Sequence, residues 1–201
     1  MKSLNARASL ALVGLAVGMG VCVFVPAGTI RYWQAWVYLV VFVGASALIT
    51  MDLSRRDPAL LERRMQGGPT AETRTPQQLI MAATSLAFGA LLVVPGLDHR
   101  RGWSSVPAGA VLAGDALVAV GFYFIYLVYR ENTFTSATIQ VVTGQKVIST
   151  GPYSVVRHPM YASGALYLAG TPLALGSWWG LVPFAVMCPA ARWPPAPSTS
   201  R

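Results

Sequence analysis

The fold is decided by residues 108–132, AGAVLAGDALVAVGFYFIYLVYREN. From Ala108 to Tyr129 one charge, Asp115, interrupts an apolar run, and Arg130-Glu131-Asn132 ends it. A helix across a bilayer needs about 20 such residues. Comparable runs cover about Ala8–Pro26, Trp33–Met51 and Gln78–Pro95. The 201 residues are 54% hydrophobic and 11% charged, where a soluble domain has about 25% charged residues. Mean hydropathy is +0.52. These values exclude disorder over most of the length and exclude a water-soluble globule. They predict an all-α integral membrane protein, one bundle over residues 1–191 with about five to six transmembrane helices.

Outward from that run, Met160–Ala191 is apolar again but is broken by Gly170, Pro172, Gly176 and Ser177. One straight helix over it would measure about 48 Å, against a hydrocarbon core of about 30 Å. The expectation is a helical hairpin, Met160–Leu175 and Trp178–Ala191, turning at Gly176-Ser177. Leu97–Ser105 reads as a loop. Ala59–Met65 reads as a short helix with Leu60, Leu61 and Met65 on one face, suited to the membrane surface. Residues 192–201, rich in Pro and Ser, read as a disordered tail. The first apolar run lacks a convincing cleavage site and reads as a retained helix.

The formal charge is +8. In a soluble protein that would suggest nucleic acid; here the basic residues lie in short loops and mark topology, so no nucleic-acid partner is expected. With the N-terminus inside, the inner side collects Lys2, Arg7, Arg55, Arg56, Arg63, Arg64, Arg74, Arg130, Lys146, Arg157, Arg192 and Arg201. Only Arg31, Arg100 and Arg101 fall outside. The positive-inside rule then predicts a cytoplasmic N-terminus in a multi-pass protein of a bacterial-type inner or plasma membrane. Cys22 and Cys188 lie in apolar stretches without metal-ligand spacing, so no metal is expected. Asp115 reads as interfacial or helix packing, and His99 as part of a solvated loop. Tyr123, Tyr126 and Tyr129 read as packing or interfacial belt. Gly14 and Gly18 suit close packing inside the bundle.

The polar residues gather at the predicted cytoplasmic side. Glu131 and Asn132 end one helix, and Gly151-Pro152-Tyr153-Ser154-Val155-Val156-Arg157-His158-Pro159-Met160-Tyr161 opens the next. Pro159 suits the first helical turn. The free N–H groups of that turn attract anions, with Arg157 and His158 beside them. The plainer reading makes Arg157 an orientation charge and His158 a headgroup-facing side chain.

The sequence Gly151-Pro152-Tyr153-x-x-Val156-Arg157-His158-Pro159-x-Tyr161 resembles the signature of the isoprenylcysteine carboxyl methyltransferase family, a relative of the membrane phospholipid N-methyltransferases. Glu131-Asn132-x-Phe134, Gly176-Ser177-Trp178 and residues Arg56 to Arg64 fit the same pattern, so the resemblance covers about residues 30–185, with the motif region at 131–178. It implies a membrane-embedded methyltransferase with S-adenosyl-L-methionine (SAM) as co-substrate and no metal. The acceptor would be a lipophilic or prenylated molecule drawn from membrane lipid. By the resemblance Gly151, Tyr153, His158, Pro159 and Tyr161 form the SAM site. Arg157 is the expected catalytic residue and, with Glu131 and Asn132, binds the acceptor. Arg157 would fix an acceptor carboxylate by a bidentate pair; an amine acceptor would need a base, for which His158 and Glu131 are the candidates. Carboxyl O-methylation of an isoprenylcysteine-like substrate is the leading expectation. Where the family often has Gly, this chain has Ser163, small enough for close approach of the cofactor.

Members of that family continue past the hairpin into an acidic tail of E-E-x-x-L type that closes over SAM. This chain has no acidic residue after Glu131. The expectation is therefore a truncated or frame-shifted C-terminus that lacks part of the SAM site. The alternative reading is a non-catalytic membrane protein, either a degenerate family member or a binding or scaffold subunit.

Overall fold

The structure, a computed structural model, describes residues 2–65, 75–132 and 150–190. Seven α-helices and one 3-10 turn account for most of them, with no strand among the described residues. They are α1 (Lys2–Ala27), α2 (Trp33–Arg56), α3 (Pro58–Met65), α4 (Thr75–Arg101), α5 (Ala108–Glu131), the 3-10 turn Gly151–Ser154, α6 (Pro159–Ala174) and α7 (Leu181–Ala190). The chain is an all-α membrane protein by architecture. Leu4–Ala27, Trp33–Arg56, Ala82–Arg101 and Ala108–Glu131 are long and apolar enough to cross a bilayer. Helices α6 and α7 form the expected hairpin around Gly176, where φ is +67°. Their 16 and 10 residues give arms of about 24 and 15 Å, short of a full span. The tail expected at 192–201 lies outside the described residues.

Helix boundaries follow local chemistry. Gly28, at φ +68°, returns its N–H to Phe24 O at 2.9 Å and closes α1, as a left-handed glycine does past a helix end. Asp57 caps α3 by accepting from Leu60 N at 2.9 Å, with Pro58 opening the helix. Pro159 likewise opens α6. Helix α4 runs through Pro95 to Arg101, so its last turns replace the loop expected from Leu97. His99 therefore sits on a helix, its ring stacked on Tyr32 at 3.9 Å.

The two ends of the bundle differ. One end gathers Trp33, Trp36, Trp103, Trp178 and Trp179, all exposed, and is knotted around Asp98. That carboxylate is 1% exposed. It accepts from Ser104 N at 2.8 Å, from Ser104 Oγ at 2.6 Å and from Ser177 Oγ. Ser177 and Ser104 in turn accept from Gly180 N and Trp178 N. Tyr32 donates to Leu175 O beside this knot. Burial, helped by Asp98, pushes the Tyr32 hydroxyl pKa up, so it remains a donor.

The other end holds Arg55, Arg56, Arg63, Arg64, Arg130 and Arg157. Here the apolar face of α3 is not free for the membrane surface. Leu60 and Leu61 are buried with Ala8, Leu53, Ile125 and Tyr129. The short helix plugs the end of the bundle because burying two leucines against α2 and α5 outweighs leaving them among headgroups. Arg64 lies over the Tyr129 ring, 4.3 Å from its centroid.

Between the ends, α5 carries its buried residues in one helical stripe: Val111, Gly114, Asp115, Val118, Gly121, Phe122, Ile125, Val128 and Tyr129. That stripe meets α6 almost backbone to backbone. A Cβ on Gly121 would stand 2.8 Å from Tyr167 Cβ, and one on Gly170 would stand 2.9 Å from Leu117 Cβ. Small residues permit such an approach between membrane helices. Gly14 and Gly18 do not serve this purpose, since a Cβ on either would meet nothing within 4 Å. Asp115 is 6% exposed, and among the described residues neither carboxylate oxygen has a hydrogen-bond partner.

Two paired carboxylates differ in weight, Asp98 joining α4 to the hairpin turn and Asp52 pairing within α2. Asp98→Ala removes three hydrogen bonds to a buried charge and is expected to cost about 3 kcal/mol or more. Asp52→Ala breaks a pair with Arg56, whose side chain is 59% exposed, and is expected to cost about 0.5 kcal/mol. Equilibrium unfolding in mixed micelles will rank the two; equal effects would show that the Asp98 knot is not a fastening point.

Candidate functional site

The candidate site is assembled where α5 ends and α6 begins. The α5–α6 crossing sets the two helices antiparallel, so residues after Glu131 and before Pro159 meet at the Arg-rich end. Asn132 closes α5 by donating its N–H to Val128 O at 2.8 Å. Its side-chain Nδ2 donates to the Tyr153 hydroxyl at 2.9 Å. The neighbouring Glu131 carboxylate accepts from Thr150 Oγ1. Gly151 closes the arrangement with φ +57°, and a Cβ there would stand 3.1 Å from Glu131 Cδ and Oε2. Four predicted residues, Glu131, Asn132, Gly151 and Tyr153, thus form one bonded unit. Thr150 is its fifth member and was not singled out from the sequence, although a threonine directly before Gly-Pro is a turn-forming signal.

The remaining predicted residues stand apart from that unit. Arg157 and His158 are exposed, and among the described residues neither side chain makes a hydrogen bond or ion pair. His158 occupies the cap position of α6 with φ −130° and ψ 69°, without a side-chain cap. Its carbonyl accepts from Ala162 N at 3.2 Å. Pro159 is buried at the first helical position. The Tyr161 ring, 73% exposed, lies 5.9 Å from the His158 ring. Among the described residues no side chain caps the first-turn N–H groups of α6, which lie next in sequence to Arg157 and His158.

Ser163 has another place. Its side chain is buried, donates to Pro159 O at 2.6 Å, and its carbonyl lies 3.0 Å from where a Gly121 Cβ would be. Residue 163 thus lies at the helix crossing, its side chain buried and bonded back to its own helix. The sequence reading also missed Arg64, which α3 holds against Tyr129, two residues before Glu131. The period of Leu60, Leu61 and Arg64 on a short helix was the available signal. Phe134 of the motif lies outside the described residues. No group of three or more His, Cys, Asp or Glu able to hold a metal occurs among the described residues.

This geometry coincides with the one stretch that known proteins illuminate. Residues 110–193 match the family model of phospholipid methyltransferases. The match spans α5, the bonded unit, Arg157-His158-Pro159 and the hairpin, and it supports a membrane methyltransferase of the phospholipid and isoprenylcysteine class. That is the broad family to which the motif resemblance pointed. No curated protein and no solved structure matches the chain.

Methyltransferases of this family are generally SAM-dependent, so the donor set can be tested against SAM. A helix start without a side-chain cap and with the His158 imidazole beside it suits the amino-acid carboxylate of that molecule. The residues at the start of α6 fit the amino-acid carboxylate of SAM.

The bonded unit makes a direct prediction. Gly151→Ala forces an L-residue into the left-handed region, at a cost of about 1–2 kcal/mol, and presses a methyl group on Glu131. Hydrogen exchange is expected to show residues 150–156 losing protection while α5 and α6 keep theirs. Unchanged protection would mean that the Glu131–Thr150 and Asn132–Tyr153 bonds do not order this turn.

Proposed function

We propose that the chain is a membrane methyltransferase that moves the methyl group of SAM to a carboxylate on a lipophilic, isoprenylcysteine-like acceptor. The observation that carries this reading is Arg157: an exposed guanidinium, unengaged among the described residues, beside the uncapped start of α6 and within the family match. SAM, when bound, supplies a sulfonium-activated methyl group for in-line displacement. The protein's contribution is placement. Arg157 pairs with the acceptor carboxylate through both of its terminal nitrogens and aims one oxygen. The α6 N–H groups and His158 hold the amino-acid carboxylate of SAM, and Glu131 and Asn132 border the acceptor. Pro159 fixes the helix start, and Tyr161 covers the site from the exposed side. A carboxylate is already the nucleophile at neutral pH, so no general base is required. The Arg-rich end faces the cytoplasm in this reading, in keeping with the positive-inside bias.

Two measurements test it. Protein in lipid nanodiscs, given methyl-labelled SAM and farnesylated cysteine, is expected to yield label released as methanol by mild base, since an ester hydrolyses and an N-methyl amine does not. Arg157→Lys keeps the charge and loses the planar fork, and kcat/KM is expected to fall by more than about tenfold. Base-stable label would move the acceptor to an amine; equal activity of the lysine variant would leave Arg157 as a topology charge.

Orientation is tested separately. A cysteine at 154 is expected to be protected from a membrane-impermeant thiol reagent in intact cells, and a cysteine at 103 to be labelled. The reverse pattern would place the site outside the cytoplasm.

A further inference from the structure

A second feature lies on the other flank of α5, away from α6. Between α2 and α5 the bundle leaves an apolar groove of about 570 Å³. Val40, Gly44, Ala45 and Leu48 line it from α2, and Ala119 and Tyr126 from α5. The two helices touch through Phe42 and Phe122, whose ring centroids are 4.7 Å apart. Around that contact the facing residues are small. A Cβ on Gly44 would meet no atom within 4 Å, so the floor at this point is open. Val40 and Leu48 are 71% and 66% exposed, so the groove opens at the lipid-facing surface.

Its length is informative. From Val40 to Asp52 the helix advances about 18 Å, close to the roughly 15 Å half-thickness of a hydrocarbon core. The groove therefore runs about one leaflet. Its Arg-rich mouth is charged. Asp52 lines it and pairs with Arg56 at 2.7 Å. Arg130 lies 5.8 Å from the centroid of the Tyr126 ring and has no carboxylate partner among the described residues. Asp52 is outnumbered there by Arg55, Arg56 and Arg130, so the charge is net positive where the apolar lining ends.

We propose that this groove is the binding site of one phospholipid of the Arg-rich leaflet, separate from the methyl-transfer site. One acyl chain lies along Gly44 and Ala119, and the phosphate rests on Arg130 and Arg56. The apolar lining takes the chain, the length matches one leaflet, and the arginines stand where a phosphate would lie. Guanidinium forks pair with phosphate oxygens in two parallel bonds. The positive charge at the mouth complements an anionic phosphodiester lipid, such as phosphatidylglycerol. The proposal does not rest on methyl transfer.

Native mass spectrometry of the full chain, titrated with palmitoyl-oleoyl phosphatidylglycerol or phosphatidylcholine, tests it. The expected result is one tightly retained phosphatidylglycerol, held about tenfold more strongly than phosphatidylcholine. Gly44→Leu fills the open floor without a clash and is expected to weaken retention about tenfold. Arg130→Gln, an exposed change that leaves the groove unfilled, is expected to abolish the headgroup preference. Gly14→Leu adds the same side chain to the open face of α1 and is expected to change nothing. Retention unchanged in Gly44→Leu, equal losses in Gly44→Leu and Gly14→Leu, or equal retention of the two lipids would overturn the proposal. So would a lipid-free dimer whose formation Gly44→Leu blocks, which would assign the groove to a second copy of the chain.

Discussion

The structure depends on the close approach of α5 and α6. Gly114, Gly121 and Gly170 remove the Cβ atoms that would hold the helices apart, and each would meet a neighbouring main-chain or Cβ atom if it gained one. In a bilayer there is no hydrophobic gain from joining two apolar helices, so packing of this kind is what holds them. Because the contact is nearly backbone to backbone, it also fixes register. Sliding α6 by one turn would drive Tyr167 or Leu173 into α5.

From that register follows the position of the chemistry. The crossing places Glu131 and Asn132 beside the turn that opens α6, and four side chains then lock without further help from the core. Helix α3 supports the same place from beneath, with Leu60 and Leu61 buried and Arg64 against Tyr129. At the opposite end Asp98 fastens α4 to the hairpin turn through Ser177. The hairpin is thus held at its tip by a buried charge and along its length by glycine packing. Its mouth is left to carry exposed functional groups.

Much of this was legible from the sequence, for an identifiable reason. Helices in a membrane are specified by long uncharged runs, and α2 and α5 begin where those runs begin. The Gly176 turn was legible because a span cannot be 48 Å long, and a left-handed glycine is the natural place to break it. Helix α4 was misjudged at Pro95. A proline costs one hydrogen bond within a helix, and the helix persists because Asp98 and the Tyr32–His99 stack hold its last turns. Those contacts join residues far apart in sequence; Tyr32 and Leu175 are 143 positions apart. No local pattern reports them. The face of α3 was legible, but not what would cover it. The site was legible in composition only. Arg157 and His158 stood out beside the start of α6 and drew their expected roles from the resemblance, whereas the tie from Thr150 to Glu131 required the fold.

The length of α6 has a consequence for the membrane itself. Its first residues pack between the levels of Ile125 and Tyr129, since Met160 joins their cluster, while α5 continues to Glu131. The two to six residues between are about 3 to 9 Å of helix. The open N–H groups of α6 are therefore sunk by roughly that depth below the tip of the neighbouring helix. A bilayer accommodates a short element by thinning around it. Such thinning on this flank of the bundle would bring the water boundary toward the midplane. A charged, water-borne molecule and a greasy one can then meet there without either leaving its own solvent.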